Sequence, residues 1–135
     1  MMKRRVVICI FILAVIVGSV IWRTCSDKEV DITNEMSNCI SGNSLSLSSL
    51  NIAVEWDTMY IIDPYDSEIN SLNISIDDAS RNDIIRHSSV DTECTVVFSS
   101  DNKLTAYAFI KRNVFDFSKT PKKVYHKHDV INLQE

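Results

Sequence analysis

His126, Lys127 and His128 put two imidazoles two residues apart near the C-terminal end of the chain. On one extended strand successive side chains alternate, so both rings would point to the same side. That is the beginning of a metal site, and a third ligand such as His87 or Asp129 would complete it. The plainer reading is a solvated basic strand, so no metal or other cofactor is expected and His126 and His128 stay as weak metal candidates. Carboxylates gather elsewhere. The run VEWDTMYIIDPY, residues 54–65, contains Asp57 and Asp63, with Asp66 following. On a strand Asp57 and Asp63 share a side but stand six residues apart, roughly 20 Å, too far to serve one reacting bond. Asp66 suits a turn or helix cap, and Asp57 suits a hydrogen bond to a neighbouring strand or loop.

Other chemistries are disfavoured by what the chain lacks. Serine, histidine and aspartate are present without a Gly-x-Ser-x-Gly elbow, and the only glycines are Gly18 and Gly42. A phosphate-cradling loop cannot be built from these, which argues against nucleotide binding. No catalytic residue is assigned, and an enzyme is not expected.

The cysteines carry information about compartment. Cys9 falls within an apolar run, whereas Cys25, Cys39 and Cys94 follow it. In an oxidising compartment the preferred pairing is Cys39 with Cys94, leaving Cys25 free or intermolecular. Closing that loop of about 55 residues would add on the order of 4 kcal/mol by restricting the unfolded chain. The alternative is that all are reduced and Cys39 and Cys94 are ordinary small core residues. Trp22-Arg23-Thr24 before Cys25 argues against lipidation there.

The elements that must position these residues begin with the N-terminus. After MMKRR, seventeen uncharged residues run from Val6 to Trp22. As a helix they would span roughly 25 Å, close to the hydrocarbon thickness of a bilayer. β-Branched residues and Phe fill the run, and Trp22 sits where an interfacial aromatic belongs. Residues 1–22 therefore read as a signal anchor. Cleavage near Val17-Gly18-Ser19 is the alternative and would release a secreted protein. Lys3, Arg4 and Arg5 precede the run, which orients the N-terminus to the cytoplasm and the rest to the periplasm or the extracellular side.

Beyond the anchor, residues 23–45 read as a juxtamembrane helix and connector, and residues 46–135 as a small exported domain. Ser26 and Glu29 have capping-box spacing, Val30, Met36, Cys39 and Ile40 can share an apolar face, and Gly42 suits the residue after the helix. A helix over 26–42 is therefore expected. SGNSLSLSSLN is a polar connector with at most one helical turn. WDTMYII reads as a strand stopped by Asp63-Pro64, with Val54, Trp56, Thr58, Tyr60 and Ile62 on one face. Asp66–Leu72 suits a short helical turn. Residues 76–87 suit a helix, with Asp77 or Asp78 at its start and Arg86 and His87 at its end, matching the helix dipole. ECTVVFS and KLTAYAFIKR flank Ser100-Asp101-Asn102, a β-hairpin signature, and KVYHKHDVINL reads as a last strand. The fold class expected is α+β, with one or two short helices on an antiparallel sheet of three to four strands.

WDTMYIIDPY followed by VVFSSDNKLTAYAF resembles a group of small bacterial envelope proteins. In them a Trp-Asp-x-x-Tyr-Ile-x-x-Pro-Tyr stretch precedes a hairpin whose turn reads Asp-Asn-Lys. The resemblance covers about residues 47–117. It implies a small exported α+β domain and assigns no activity.

Charge is uneven. Residues 23–110 hold five basic and fifteen acidic side chains, whereas residues 111–128 hold six basic side chains and Asp116. Such a layout can steer a partner or be satisfied within the domain. Six basic residues without interleaved aromatics do not make a nucleic-acid surface. The leading expectation is a single-pass membrane protein whose exported domain binds an envelope protein, through the acidic turn (Asp63, Asp66, Glu68) or the basic segment (Lys119, Lys122, Lys123, Lys127). The alternatives are an immunity protein against an extracytoplasmic toxin and a metal-dependent hydrolase using His126 and His128.

Overall fold

The computed structural model describes residues 28–66 and 68–133. The expected anchor, Val6 to Trp22, and Cys25 lie outside these residues. Among the described residues no helix is long and apolar enough to cross a membrane.

The hairpin organises the fold. β4 (Glu93–Ser100) and β5 (Lys103–Lys111) pair antiparallel with Ser100 opposite Lys103. Asp101 and Asn102 between them have φ of 51° and 58°. Two left-handed residues make the turn whose twist matches that of the flanking strands, and Asp and Asn tolerate that conformation. On the other side of β4 lies β3 (Thr58–Ile62), and beyond it β6 (Val124–His126), in the order β5-β4-β3-β6. A second antiparallel sheet is built from β1 (Ile40–Ser41), β2 (Ser44–Ser46) and β7 (Val130–Asn132), in the order β1-β2-β7. With the helices α1 (Thr33–Cys39) and α2 (Asp78–His87), the fold of the described residues is α+β, as expected, but with two sheets instead of one.

Apolar residues of β3, β4 and β5 are buried on both faces of the four-stranded sheet. Met59, Ile61, Val96, Phe98 and Ile110 point into a large cluster covered by Met36 of α1, Leu45 and Ile131 of the small sheet, and Phe117. Ile62, Val97, Leu104 and Tyr107 point the other way, against Ile84 of α2 and Ile69, Ile74 and Ile76. Alternation along β3, β4 and β5 sends apolar residues to both layers. In the hairpin Cys94, Val96 and Phe98 face the first layer, and Val97, Tyr107 and Phe109 the second.

Helix α2 has the ends expected of it. The Asp77 carboxylate accepts hydrogen bonds from Ser80 N at 3.0 Å and from Lys28 Nζ at 2.8 Å. Its last turn carries Arg86 and His87. His87 stacks on Phe109, 3.8 Å between ring centroids, with Nδ1 3.5 Å from Glu93 Oε2. Tyr107 Oη donates to Asp83 at 2.9 Å, tying the helix to β5. The helical turn expected after Asp66 is a 3₁₀ turn, Glu68–Asn70.

Four expectations are corrected. Residues 26–42 are not one helix. Lys28 and Val30 exchange backbone hydrogen bonds with Tyr107, both 2.9 Å, along the outer edge of β5, and α1 begins only at Thr33. Covering an open strand edge satisfies donors and acceptors that a longer helix would leave exposed. Gly42 does take a left-handed φ of 60°, but in the turn between β1 and β2. The Ser-rich connector is more ordered than expected, for Ser44-Leu45-Ser46-Leu47 alternates with period two and buries Leu45 and Leu47. Trp56 does not share a face with Tyr60 and Ile62. The chain bends at Asp57, and Trp56 joins Met59 and Ile61, edge-on to Phe98 at 5.1 Å. Finally, residues 123–133 form two strands in different sheets, β6 and β7, broken by a turn at Lys127 and His128.

Adjacent isoleucines of α2 should behave oppositely. Ile84 is fully buried, whereas Ile85 is 44% exposed. Ile84→Ala should destabilise the domain by about 2–5 kcal/mol, and Ile85→Ala by no more than about 0.5 kcal/mol, read as shifts of the urea midpoint.

Candidate functional site

The split of residues 123–133 decides the fate of the histidine pair. His126 ends β6 and His128 lies in the turn, so the two do not share one strand face. His126 Nδ1 is 3.4 Å from Thr58 Oγ1, and its backbone N–H donates to the Asp129 carboxylate at 3.0 Å. Asp129, considered as a third ligand, instead folds back onto its own turn. Among the described residues no group of three His, Cys, Asp or Glu side chains could hold a metal.

Cys39 and Cys94 are free thiols in this structure. Cys94 is buried in the large cluster and Cys39 packs against the same cluster. Burial, the largest cause, raises both above the usual thiol pKa, Cys94 to about 11. Neither has the thiolate character of a nucleophile.

Asp57 is structural. Its carboxylate accepts from Thr58 Oγ1 at 2.6 Å and from the Asp101 backbone N–H at 3.2 Å, so it caps the hairpin turn. Its own N–H donates to Ser99 O at 2.9 Å and its carbonyl accepts from Lys127 N at 3.0 Å. The hydrogen bond from Thr58 leads in holding its pKa below the ordinary carboxylate value.

The two charged segments meet inside the domain. Lys123 Nζ is 2.8 Å from Asp63 Oδ2 and donates to Phe117 O at 3.1 Å. Lys122 pairs with Asp129 at 3.4 Å and lies over the Tyr125 ring, 4.8 Å from its centroid. Lys127 lies over Trp56 at 5.7 Å. Three of the four basic candidates are thus engaged by their own chain, and Lys119 is exposed without an ion pair among the described residues. On the acidic side Asp66 accepts from Glu68 N at 3.1 Å, and neither Asp66 nor Glu68 has an ion-pair partner among the described residues.

Among the described residues, two clefts bear on the candidate surfaces. The larger, about 570 Å³, is lined by Asp91, Thr92, Lys111, Arg112, Asn113 and Asp116. Its central cation is already committed: Arg112 forks onto Asp116 at 3.0 and 3.1 Å and also donates to Asp91 O and Ser118 Oγ. This fork, the first cause, lowers the Asp116 pKa to about 2 and locks the loop after β5. The i, i+4 spacing of Arg112 and Asp116 is its only sign in the sequence.

The smaller cleft, about 260 Å³, lies between the acidic turn and the end of α2, lined by Tyr65, Asp66, Ile69, Asn70, Ile85, Ser88 and Ser89. Tyr65 is 69% exposed and holds a φ of 64°, its N–H donating to Ser88 O at 2.6 Å. A hydrogen bond to Asp91 leads in raising its phenol pKa above the ordinary value. The acidic turn was legible in Asp63-Pro64 and its neighbours. Tyr65 was not singled out, though an aromatic straight after a turn proline was the available signal. No protein-family model, characterised protein or solved structure matches this chain.

Asp77 and Asp116 both sit near pKa 2 when folded, Asp77 chiefly through its hydrogen bond from Lys28 and Asp116 through Arg112, against an ordinary 3.8. A depressed folded value means the stabilisation is full above about pH 4 and is lost as pH falls toward 2. The urea midpoint should drop across that window, and Asp77→Asn with Asp116→Asn should flatten the drop. At neutral pH Asp77→Ala should cost about 1 kcal/mol through loss of the α2 cap, whereas Asp77→Asn keeps a capping oxygen and should cost less.

Proposed function

We propose that this chain is a single-pass membrane protein, N-terminus in the cytoplasm, whose fold on the far side of the bilayer binds another envelope protein through its acidic face. The apolar run Val6 to Trp22, preceded by Lys3, Arg4 and Arg5, supports the anchor and its direction. The observation that carries the binding surface is the unequal use of charge within the fold. Lys122, Lys123 and Lys127 are taken up by Asp129, Asp63 and Trp56, while the half-buried Asp66, which lines a cleft with the exposed Tyr65, and the exposed Glu68 have no ion-pair partner among the described residues. Carboxylates left without cations draw a basic partner by long-range attraction and reject acidic ones. This favours the acidic turn over the basic segment as the contact surface.

The test is cross-linking of the full-length chain in cells, followed by purification and identification of the bound protein. Asp66→Lys with Glu68→Lys should reduce recovery of that protein by about tenfold or more. Lys119→Glu with Lys127→Glu should have a much smaller effect. Equal recovery with the acidic pair reversed would remove this surface, and a carboxyl-terminal reporter active only in the cytosol would remove the topology.

A further inference from the structure

Resting on that reading, we propose that the cleft between Tyr65 and Ile85 receives one aliphatic side chain of the partner, carried on a basic polypeptide segment. Its volume, about 260 Å³, falls below the roughly 300–1,000 Å³ of small-molecule sites. It is sized for a protruding side chain. The floor is apolar, since Ile69 is buried, and Ile85 on the wall keeps 44% of its surface in water. The wall's hydroxyls are already satisfied: Ser88 Oγ donates to Ile85 O at 2.8 Å and Ser89 Oγ to Arg86 O at 2.7 Å. What the cleft leaves open is apolar area and negative charge.

Tyr65 is positioned before any ligand arrives. Its backbone is held in the left-handed region by the hydrogen bond from its N–H to Ser88 O. A short, amphipathic aromatic side chain loses little freedom on contact, which is why tyrosine is prominent among binding hot spots. A non-glycine residue kept at positive φ by surrounding bonds also fits the pattern in which strain gathers at ligand sites.

Charge selects the occupant. Residues 63–93 contain eight acidic side chains and two basic ones, Arg81 and Arg86. Arg86 pairs with Asp83 and Arg81 donates to Asn70 Oδ1 at 2.9 Å. Asp66, half-buried on the cleft wall, and Glu68, exposed two residues on, have no ion-pair partner among the described residues. An aliphatic residue flanked by lysine or arginine matches this surface in shape and sign. A second copy of the chain is the rival occupant, through Val124, 44% exposed within the basic segment, but Lys122 and Lys123 beside it are paired within their own fold.

The probe is a capped peptide of lysines around a single leucine, titrated into the ¹⁵N-labelled full-length chain. Two control peptides replace the leucine by serine or the lysines by glutamates. The lysine–leucine peptide should move the amides of Tyr65, Ile85 and Ser88, and both controls should bind about tenfold more weakly or worse. Ile85→Ala, which leaves the fold intact, and Tyr65→Ala should each weaken the peptide by a similar factor. Equal binding of the serine control would overturn the apolar anchor. Shifts confined to other residues would overturn the site, and movement of Tyr65 and Ile85 on raising protein concentration alone would assign the cleft to a second copy. If the peptide fails while cellular cross-linking still depends on Asp66 and Glu68, the cleft falls and the acidic-face reading stands. If the peptide binds while cross-linking ignores those residues, the reverse holds.

Discussion

One constraint governs this fold: β3 is an interior strand that is buried on both of its faces. Met59 and Ile61 face one layer and Ile62 faces the other, all almost wholly removed from solvent. A sheet wet on one side would have left one of these sets exposed. Because both are apolar, the chain must supply cover twice, and its limited length goes largely to doing so. Helix α2 and the segment before it close one side. Helix α1, the small sheet and Phe117 close the other. The segment that precedes α1, around Lys28 and Val30, seals the β5 edge as well.

This double cover accounts for what could be read from the sequence. The hairpin was legible because its information is local: alternating apolar residues and an Asp-Asn pair able to adopt left-handed φ. Helix α2 was legible from its ends, Asp77 at the start and Arg86 and His87 at the finish. The small sheet was not, because β1, β2 and β7 have two or three residues each and come from opposite ends of the described chain. Pairing at such separation leaves almost no local trace. The single strand expected over 123–133 failed for a related reason. Nothing in Val-Tyr-His-Lys-His-Asp-Val announces that Asp129 will turn back to bind His126, since the turn lacks glycine and proline. The helix expected over 26–42 lost to a tertiary demand, the open edge of β5.

The candidate surfaces show the same division. The acidic turn was evident from composition and a proline. That Lys123 reaches Asp63 was not, because the two lie sixty residues apart and meet only once β6 is laid against β3. The pairing turns an apparent two-pole charge distribution into one whose positive pole is partly neutralised internally. It also ties the end of β3 to the segment entering β6, so an electrostatic contact and a topological one coincide.

The outer border of β6 has a further consequence. Alternation in an antiparallel pair directs the His126 amide and carbonyl away from β3. Asp129 occupies both, its carboxylate accepting from His126 N and its own N–H donating to His126 O. The sheet therefore ends at a strand of three residues with one rung already filled from within the chain. Neighbouring molecules crowded side by side find little there to extend as a ribbon, so the fold limits templated aggregation with a single aspartate rather than with a proline or a bulge.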